Sequence, residues 1–182
     1  MNVTIPWLHQ VIVRPTLIFM ACETGNHWLA SEDAQILMLG IAATESDLRH
    51  TRQAGHSGTE GPARSFWQVE PPTALDLLGR WRRGAMRAVI DPFLPPDAPV
   101  GSEKFREAMR YSQSLGCMLA RLKILDAPPA IPSWLDVEAQ AAYWKRFYNT
   151  DLGSGQPDDY SHAFGRHNVM IYAQAAFGVA IS

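Results

Sequence analysis

A mainly α-helical single domain is what this sequence predicts, and three observations predict it. Apolar residues recur at three- and four-residue steps in several segments, no stretch sustains an alternation of period two, and proline clusters separate the periodic segments. At 182 residues the chain fits one domain, 1–182, long enough to bury a sizeable core. With 47% hydrophobic and 19% charged residues and no low-complexity tract, it has the composition of an ordered globular protein.

The elements follow in order. Pro15 suits the first position of a helix, where no hydrogen bond is lost, and that helix runs to about Cys22 before Thr24, Gly25 and Asn26 end it. Ser31 is an N-cap for a helix over about 32–48, with Glu32 and Asp33 against the positive end of its dipole. The polar, glycine-bearing stretch 49–64 reads as a loop or short irregular hairpin, and any strand is confined to 49–66. Pro71 and Pro72 start a further helix containing Leu75, Leu77 and Leu78, with Gly79 and Gly84 as breaks before 85–90. The prolines at 92, 95, 96 and 99 mark an extended connection.

Ser102 caps one long helix in which Phe105, Met109, Ser112, Gly116, Leu119 and Leu122 share a face, Gly116 marking a tight helix contact. Prolines 128, 129 and 132 end it. Leu135, Ala139, Ala142, Tyr143 and Phe147 are spaced for a helix over about 134–148, and a C-terminal helix covers about 158–180.

A formal net charge of −2 supplies no global basic field for nucleic acid or an anionic membrane, and no segment has the Arg, Asn and Gln pattern of a recognition helix. The two cysteines, Cys22 and Cys117, lack metal-type spacing and sit in apolar helical contexts expected to bury inert thiols; a reduced site of synthesis, the cytoplasm, fits them. Arg14 and Pro15 interrupt the apolar stretch 11–21 and no basic region precedes it, so neither a signal peptide nor a membrane span of about 18 apolar residues is expected.

One residue breaks the pattern of the 32–48 helix. Ala34, Leu37, Met38, Ile41, Glu45 and Leu48 share one register, which puts a carboxylate on the core-facing side. Residues 36–43 are apolar on all faces, so this is expected to be a central helix emerging near Thr44. A half-buried carboxylate raises its pKa and keeps its proton, which is what protonation of a glycosidic oxygen requires. The other reading has Glu45 in solvent or paired with Arg49 four residues on.

The residues that follow narrow the choice. Glu45-Ser46, Arg52-Gln53, Gly61-Pro62-Ala63 and Ser65-Phe66-Trp67-Gln68 before Pro71 resemble the lytic transglycosylases, and still more closely a group of phage-encoded, virion-associated members. Ala142-Tyr143-Trp144-Lys145-Arg146-Phe147-Tyr148-Asn149, followed by Gly153 and Gly155, resembles a later motif of the same enzymes. The matches span about 14–155, which the resemblance makes the catalytic core. Arg64 and Ser65 depart from the family's Ala-Arg-Gly pattern.

That resemblance implies a lysozyme-like fold and cleavage of peptidoglycan glycan strands between N-acetylmuramic acid and N-acetylglucosamine, with Glu45 as the acid/base. It implies Ser46, Gln53, Ser65, Phe66, Trp67, Gln68 and Tyr148 as substrate-binding residues, with Tyr148 near the catalytic carboxyl. No cofactor is implied, the other partners being virion proteins, and the place of action is the wall in the periplasm after synthesis in the cytoplasm.

Hydrolysing glycosidases pair two carboxylates. Asp47 faces away from Glu45 on a helix, Glu60 lies in the loop and Glu70 beyond Gln68, so none is assigned. A single acid/base fits the transglycosylase route to a 1,6-anhydro product. A hydrolysing muramidase, or a non-catalytic virion protein on the same fold, stays open. Ser57, Gly58 and Thr59 either border the cleft or form a solvated loop. His50, His56 and Glu60 lack the His-Glu-x-x-His spacing of a zinc site, and no metal is expected. Arg80, Arg82, Arg83 and Arg87 around Trp81 form the one basic cluster, read as a solvated helix face.

Overall fold

In the computed structural model, which describes residues 3–54, 60–150 and 153–178, helix begins well before Pro15. The Thr4 hydroxyl caps a single turn, α1 (Ile5–Trp7), which passes through a π-turn at Leu8–Val13 into α2 (Arg14–Thr24). The expected start at Pro15 is corrected. The wider turn directly before the proline makes room for its ring and absorbs the missing N–H, so helix continues across it. Gly25, at φ 66°, ends α2 in the left-handed conformation. By length and composition alone Ile5–Thr24, 20 residues, is apolar enough to cross a membrane. Leu8, Val13, Leu17 and Met20 along it are wholly buried in this chain's own core.

Helix α3 (Glu32–Ser46) is the centre of the molecule. Ser31 Oγ accepts the Ala34 N–H at 3.2 Å, and every residue from Ala34 to Ala43 is buried. Gly40 lets the Tyr160 ring lie against the helix, where a Cβ would collide with the tyrosine hydroxyl. The helix stops at Ser46 rather than at 48, because Asp47 and Leu48 are both left-handed, at φ 51° and 55°. The antiparallel hairpin β1 (Arg52–Ala54) and β2 (Glu60–Arg64) follows, the only strands among the described residues.

Helices α4 (Pro71–Trp81) and α5 (Ala85–Ile90) are separated at Gly84, φ 53°. The single long helix expected after Ser102 is two: α6 (Glu103–Tyr111) and α7 (Gln113–Leu125). Ser112 turns extended at ψ 97° and its hydroxyl caps α7, while the apolar period runs on unbroken and so concealed the break. Gly116 on α7 makes a close contact, but with Ser65 in the turn after β2 and not with another helix as expected.

Helix α8 (Val137–Trp144) starts after the Asp136 cap, not at Trp134, and continues as a π-turn at Lys145–Asn149. Leu135 lies outside it and is exposed. The expected C-terminal helix over 158–180 is also two, α9 (Pro157–Arg166) and α10 (Val169–Phe177), broken where Asn168 turns left-handed at φ 53°. Residues 179–182 lie outside the described part.

Because α9 packs on both α3 and α8, the C-terminal segment belongs to the same core as 14–155. Near the N-terminus, buried His9 joins α10 to α3: Nε2 donates to Gln35 Oε1 at 2.6 Å and Nδ1 accepts from the Tyr172 hydroxyl at 2.8 Å. The tautomer follows from the amide oxygen, which can only accept. The basic cluster is largely neutralised, Arg80 by Asp76 and Asp126, Arg82 and Arg87 by Asp91.

Candidate active site

Glu45 sits in the last turn of α3, where the all-apolar helix meets a polar cleft. Its Oε1 accepts the indole N–H of Trp144 at 2.9 Å. Burial pushes its carboxyl above the ordinary glutamate range, against the opposing pull of the Trp144 hydrogen bond and the Lys123 charge. The alternative of an Arg49 partner is not realised. Arg49 lies beside Asp47 instead, at 3.4 Å.

Two cavities meet at this carboxyl. One of about 810 Å³ is lined by Glu45, Gln68, Glu70, Lys123 and Tyr148. The other, of about 560 Å³, has Glu45, Trp144, Asp159, His162 and Arg166 around it. Both also include Asn149 and Ser154. Glu45 therefore lies where the two cavities adjoin.

The turn after β2 builds one wall. Arg64 and Val69 exchange both backbone hydrogen bonds at 3.0 Å and enclose a tight turn whose first and last residues, Ser65 and Gln68, are left-handed at φ 64° and 48°. A non-glycine residue held there stores of order 1 kcal/mol or more, and surrounding bonds hold both. Ser65 Oγ accepts the Trp67 N–H at 3.3 Å, and the Phe66 N–H is taken by Gln113 Oε1 at 3.0 Å. Gln68 Nε2 donates to the carbonyls of Ser65 and His50 at 2.7 and 3.1 Å. Its Oε1 is buried and finds no donor among the described residues.

Opposite stands the end of α8. The Tyr148 hydroxyl donates to the Trp67 carbonyl at 2.6 Å, tying the two walls together. Burial, with the charges of Glu45 and Cys117, holds its pKa well above the phenol range, so it stays a neutral donor. Lys145 Nζ reaches Asn149 Oδ1, Thr150 O and Gly153 O at 3.1, 2.9 and 2.8 Å and so ties Gly153 to the end of the π-turn. Gly155 lies so close to the Trp144 ring that a Cβ would come within 2.7 Å of it. The indole is thus held in the orientation that reaches Glu45.

No family model, curated protein or solved structure matches the chain. The site is therefore argued from its own geometry. The sequence-predicted residues divide clearly: Glu45, Gln68 and Tyr148 line one cavity. Ser46, Ser65, Phe66 and Trp67 are buried, which corrects a substrate-binding role for the Ser46 side chain; for Ser65 to Trp67 the expectation is a backbone floor, and their side chains brace it from behind. Ser46 Oγ donates to the Ala42 carbonyl at 2.7 Å and accepts from the Leu48 N–H, closing α3. Trp67 donates its indole N–H to the Met38 carbonyl at 2.9 Å, bracing the wall against the central helix. Gln53 lies in β1; its side chain, that of Glu60, and residues 56–59 fall outside the described part.

Two residues not foreseen complete the site. Trp144 holds Glu45, and Lys123 on α7 lines the same cavity, donating to the Tyr148 carbonyl at 2.6 Å with its ammonium 4.3 Å from the Tyr148 ring centre. Burial lowers the Lys123 pKa, while the charges of Glu45 and Glu70 oppose that shift. Lys123 was legible in principle, as one of two basic residues, with Arg121, in the otherwise apolar run from Leu115 to Ile124. Asp47 is engaged elsewhere, accepting from His167 at 2.7 Å with Arg166 at 3.2 Å. Cys117 is buried, but Cys22 is exposed, contrary to expectation.

Proposed function

We propose that this chain cleaves the glycan strands of peptidoglycan as a lytic transglycosylase with a lysozyme-like arrangement, of the virion-associated kind its motifs resemble, with Glu45 as its only acid/base. The observation that carries the reading is the Glu45 carboxyl at the exit of a helix buried from Ala34 to Ala43, hydrogen-bonded to the Trp144 indole where two cavities adjoin. Support comes also from the hairpin directly after that helix and from Gln68 and Tyr148 lining one of those cavities.

Glu45 donates its proton to the glycosidic oxygen between N-acetylmuramic acid and N-acetylglucosamine as the C1–O bond breaks. The substrate's own N-acetyl oxygen supports the electron-poor C1. The Glu45 carboxylate then takes the proton of the muramic acid C6 hydroxyl, which attacks C1 and closes a 1,6-anhydro ring. No water is consumed. The commitment of Asp47 to His167 and Arg166 takes one candidate second carboxylate out of play, while Glu70 lines the same cavity as Glu45, so the products decide between this route and two-carboxylate hydrolysis.

The test is digestion of purified sacculi by the wild type and Glu45→Gln, with mass analysis of the released muropeptides. Anhydro-terminated products from the wild type alone are expected. Reducing termini would replace the transglycosylase by a muramidase, and equal release by both proteins would remove Glu45 from the mechanism.

A further inference from the structure

A cavity of about 430 Å³ lies between Trp28, the end of α7 and the proline-rich connection 127–131, and shares no lining residue with the groove around Glu45. Its volume suits a small ligand. Ile124, Leu125, Pro128, Pro129 and Ile131 make most of its wall apolar. Built into that wall is Arg121, only 1% exposed. Its Nε donates to the Leu29 carbonyl at 3.2 Å, and the Trp28 ring lies 5.4 Å from its Cζ. Among the described residues no carboxylate pairs with it, and Nη2 is buried without an acceptor.

A leucine or methionine would fill that space without burying an unpaired charge, so packing does not account for an arginine here. Burial pushes its pKa down to about 10, which leaves it charged at neutral pH. The missing component is an acceptor of matching geometry, and a carboxylate is the group a guanidinium fork fits best. Asp33 also lines the cavity, with Oδ1 accepting the Trp134 N–H at 2.8 Å. Its negative charge disfavours multiply charged anions such as phosphate. Trp28, more than half exposed, forms a lip over which an apolar body can lie.

We propose that this cavity is a second ligand site, separate from the glycan groove, which takes a monocarboxylate on a branched apolar body, the carboxylate against Arg121 and the apolar part between Trp28 and 127–131. That chemistry is offered by the C-terminal residue of a peptide and by a free short-chain acid. The proposal is independent of glycan cleavage.

Calorimetric titration of the full chain, with the Trp28 indole N–H followed by NMR, tests it with three probes: N-acetyl-leucine for the peptide end, 4-methylpentanoate for the free acid, and N-acetyl-leucinamide as the neutral control. At least one acid binds saturably and shifts Trp28, and the amide binds at least about tenfold more weakly. Arg121→Leu removes the preference for acid over amide. Ala130→Trp, which plugs the exposed rim and leaves Arg121 in place, abolishes binding even if the first variant folds poorly. Tighter binding of N-acetyl-leucine assigns the site to a peptide end, and tighter binding of 4-methylpentanoate to a free acid. Equal binding of acid and amide, binding unaffected by Ala130→Trp, or no saturable binding of either acid overturns the proposal.

Discussion

Glu45 and Asp47 are two residues apart at one end of one helix, and their surroundings drive them in opposite directions. Glu45 is still on α3, turned into the groove wall, with a neutral indole N–H as its hydrogen-bond partner. Asp47 is the first residue past the helix, left-handed, within reach of His167, Arg166 and Arg49. Burial raises the first carboxyl above its ordinary range, and the Trp144 and Lys123 contributions do not cancel it. Burial would raise the second as well, but the His167 hydrogen bond and the three positive neighbours outweigh it and hold Asp47 below its ordinary range. The same functional group becomes a proton donor or a structural anion according to whether its partner is neutral or charged.

The two carboxyls therefore make opposite contributions to stability against pH. The folded state binds the Glu45 proton more tightly than the unfolded chain does. That favourable contribution is full at low pH and is lost as pH rises from the ordinary glutamate range through the raised folded value. For Asp47 the folded state prefers the anion, so its contribution is full above the ordinary aspartate range and is lost as pH falls through the lowered folded value.

Exchange of each acid for its amide is the sharpest way to separate the pair. Glu45→Gln should lower the rate of glycan release from sacculi by about 10²- to 10⁴-fold with helical content unchanged, the size expected for loss of a general acid. Asp47→Asn should leave that rate within a fewfold. A comparable loss from both would collapse the distinction. Next in size is Trp144→Phe, which keeps the ring and deletes the N–H. With the bond to the charged form gone, the Glu45 pKa climbs further, and the alkaline limb of the pH–rate profile moves to higher pH.

Lys123→Met should move that limb the same way, since the ammonium favours the Glu45 anion. It should also loosen Tyr148, whose carbonyl Lys123 holds. On the other side of the comparison, His167→Ala should destabilise the fold by about 0.5–1 kcal/mol near neutrality, a modest figure because the Asp47 pairing is partly exposed to solvent. Chemical denaturation as a function of pH checks it: the loss should shrink as Asp47 becomes protonated. Arg49→Ala is the smallest, within about 0.5 kcal/mol, because its side chain is mostly in solvent.

How much of this was legible depends on the range over which each feature is decided. The central helix was readable because Ser31 caps it locally and residues 36–43 are apolar on every face, and the hairpin followed from the polar, glycine-bearing stretch after it. Helix breaks were harder. Pro15 sits inside a helix because the preceding π-turn accommodates it, and Ser112 interrupts one without disturbing the apolar period, so neither left a trace in spacing. Asn168 is a break set by one left-handed residue, with Gly165 and His167 just before it.

The carboxyl of Glu45 was visible because it occupies an apolar register, but its partner Trp144 is brought to it only by the tertiary fold. Motif matching found the turn 65–68 but not the packing that holds it. Ser65, Phe66 and Trp67 hold the wall from behind, through Gly116, Gln113 and Met38, while Gln68 faces the groove. Spacing along a chain says which residues travel together, and packing decides which of them reach the cleft.

The most direct test of the central claim is a single ¹³C NMR titration of the side-chain carboxyls, with Glu45→Gln and Asp47→Asn used to assign the two signals. The account predicts a midpoint for Glu45 above the ordinary glutamate range and one for Asp47 below the ordinary aspartate range in the same sample. A Glu45 midpoint at or below the ordinary value would contradict it, because a carboxyl that gives up its proton that readily cannot serve as the acid that opens the glycosidic bond.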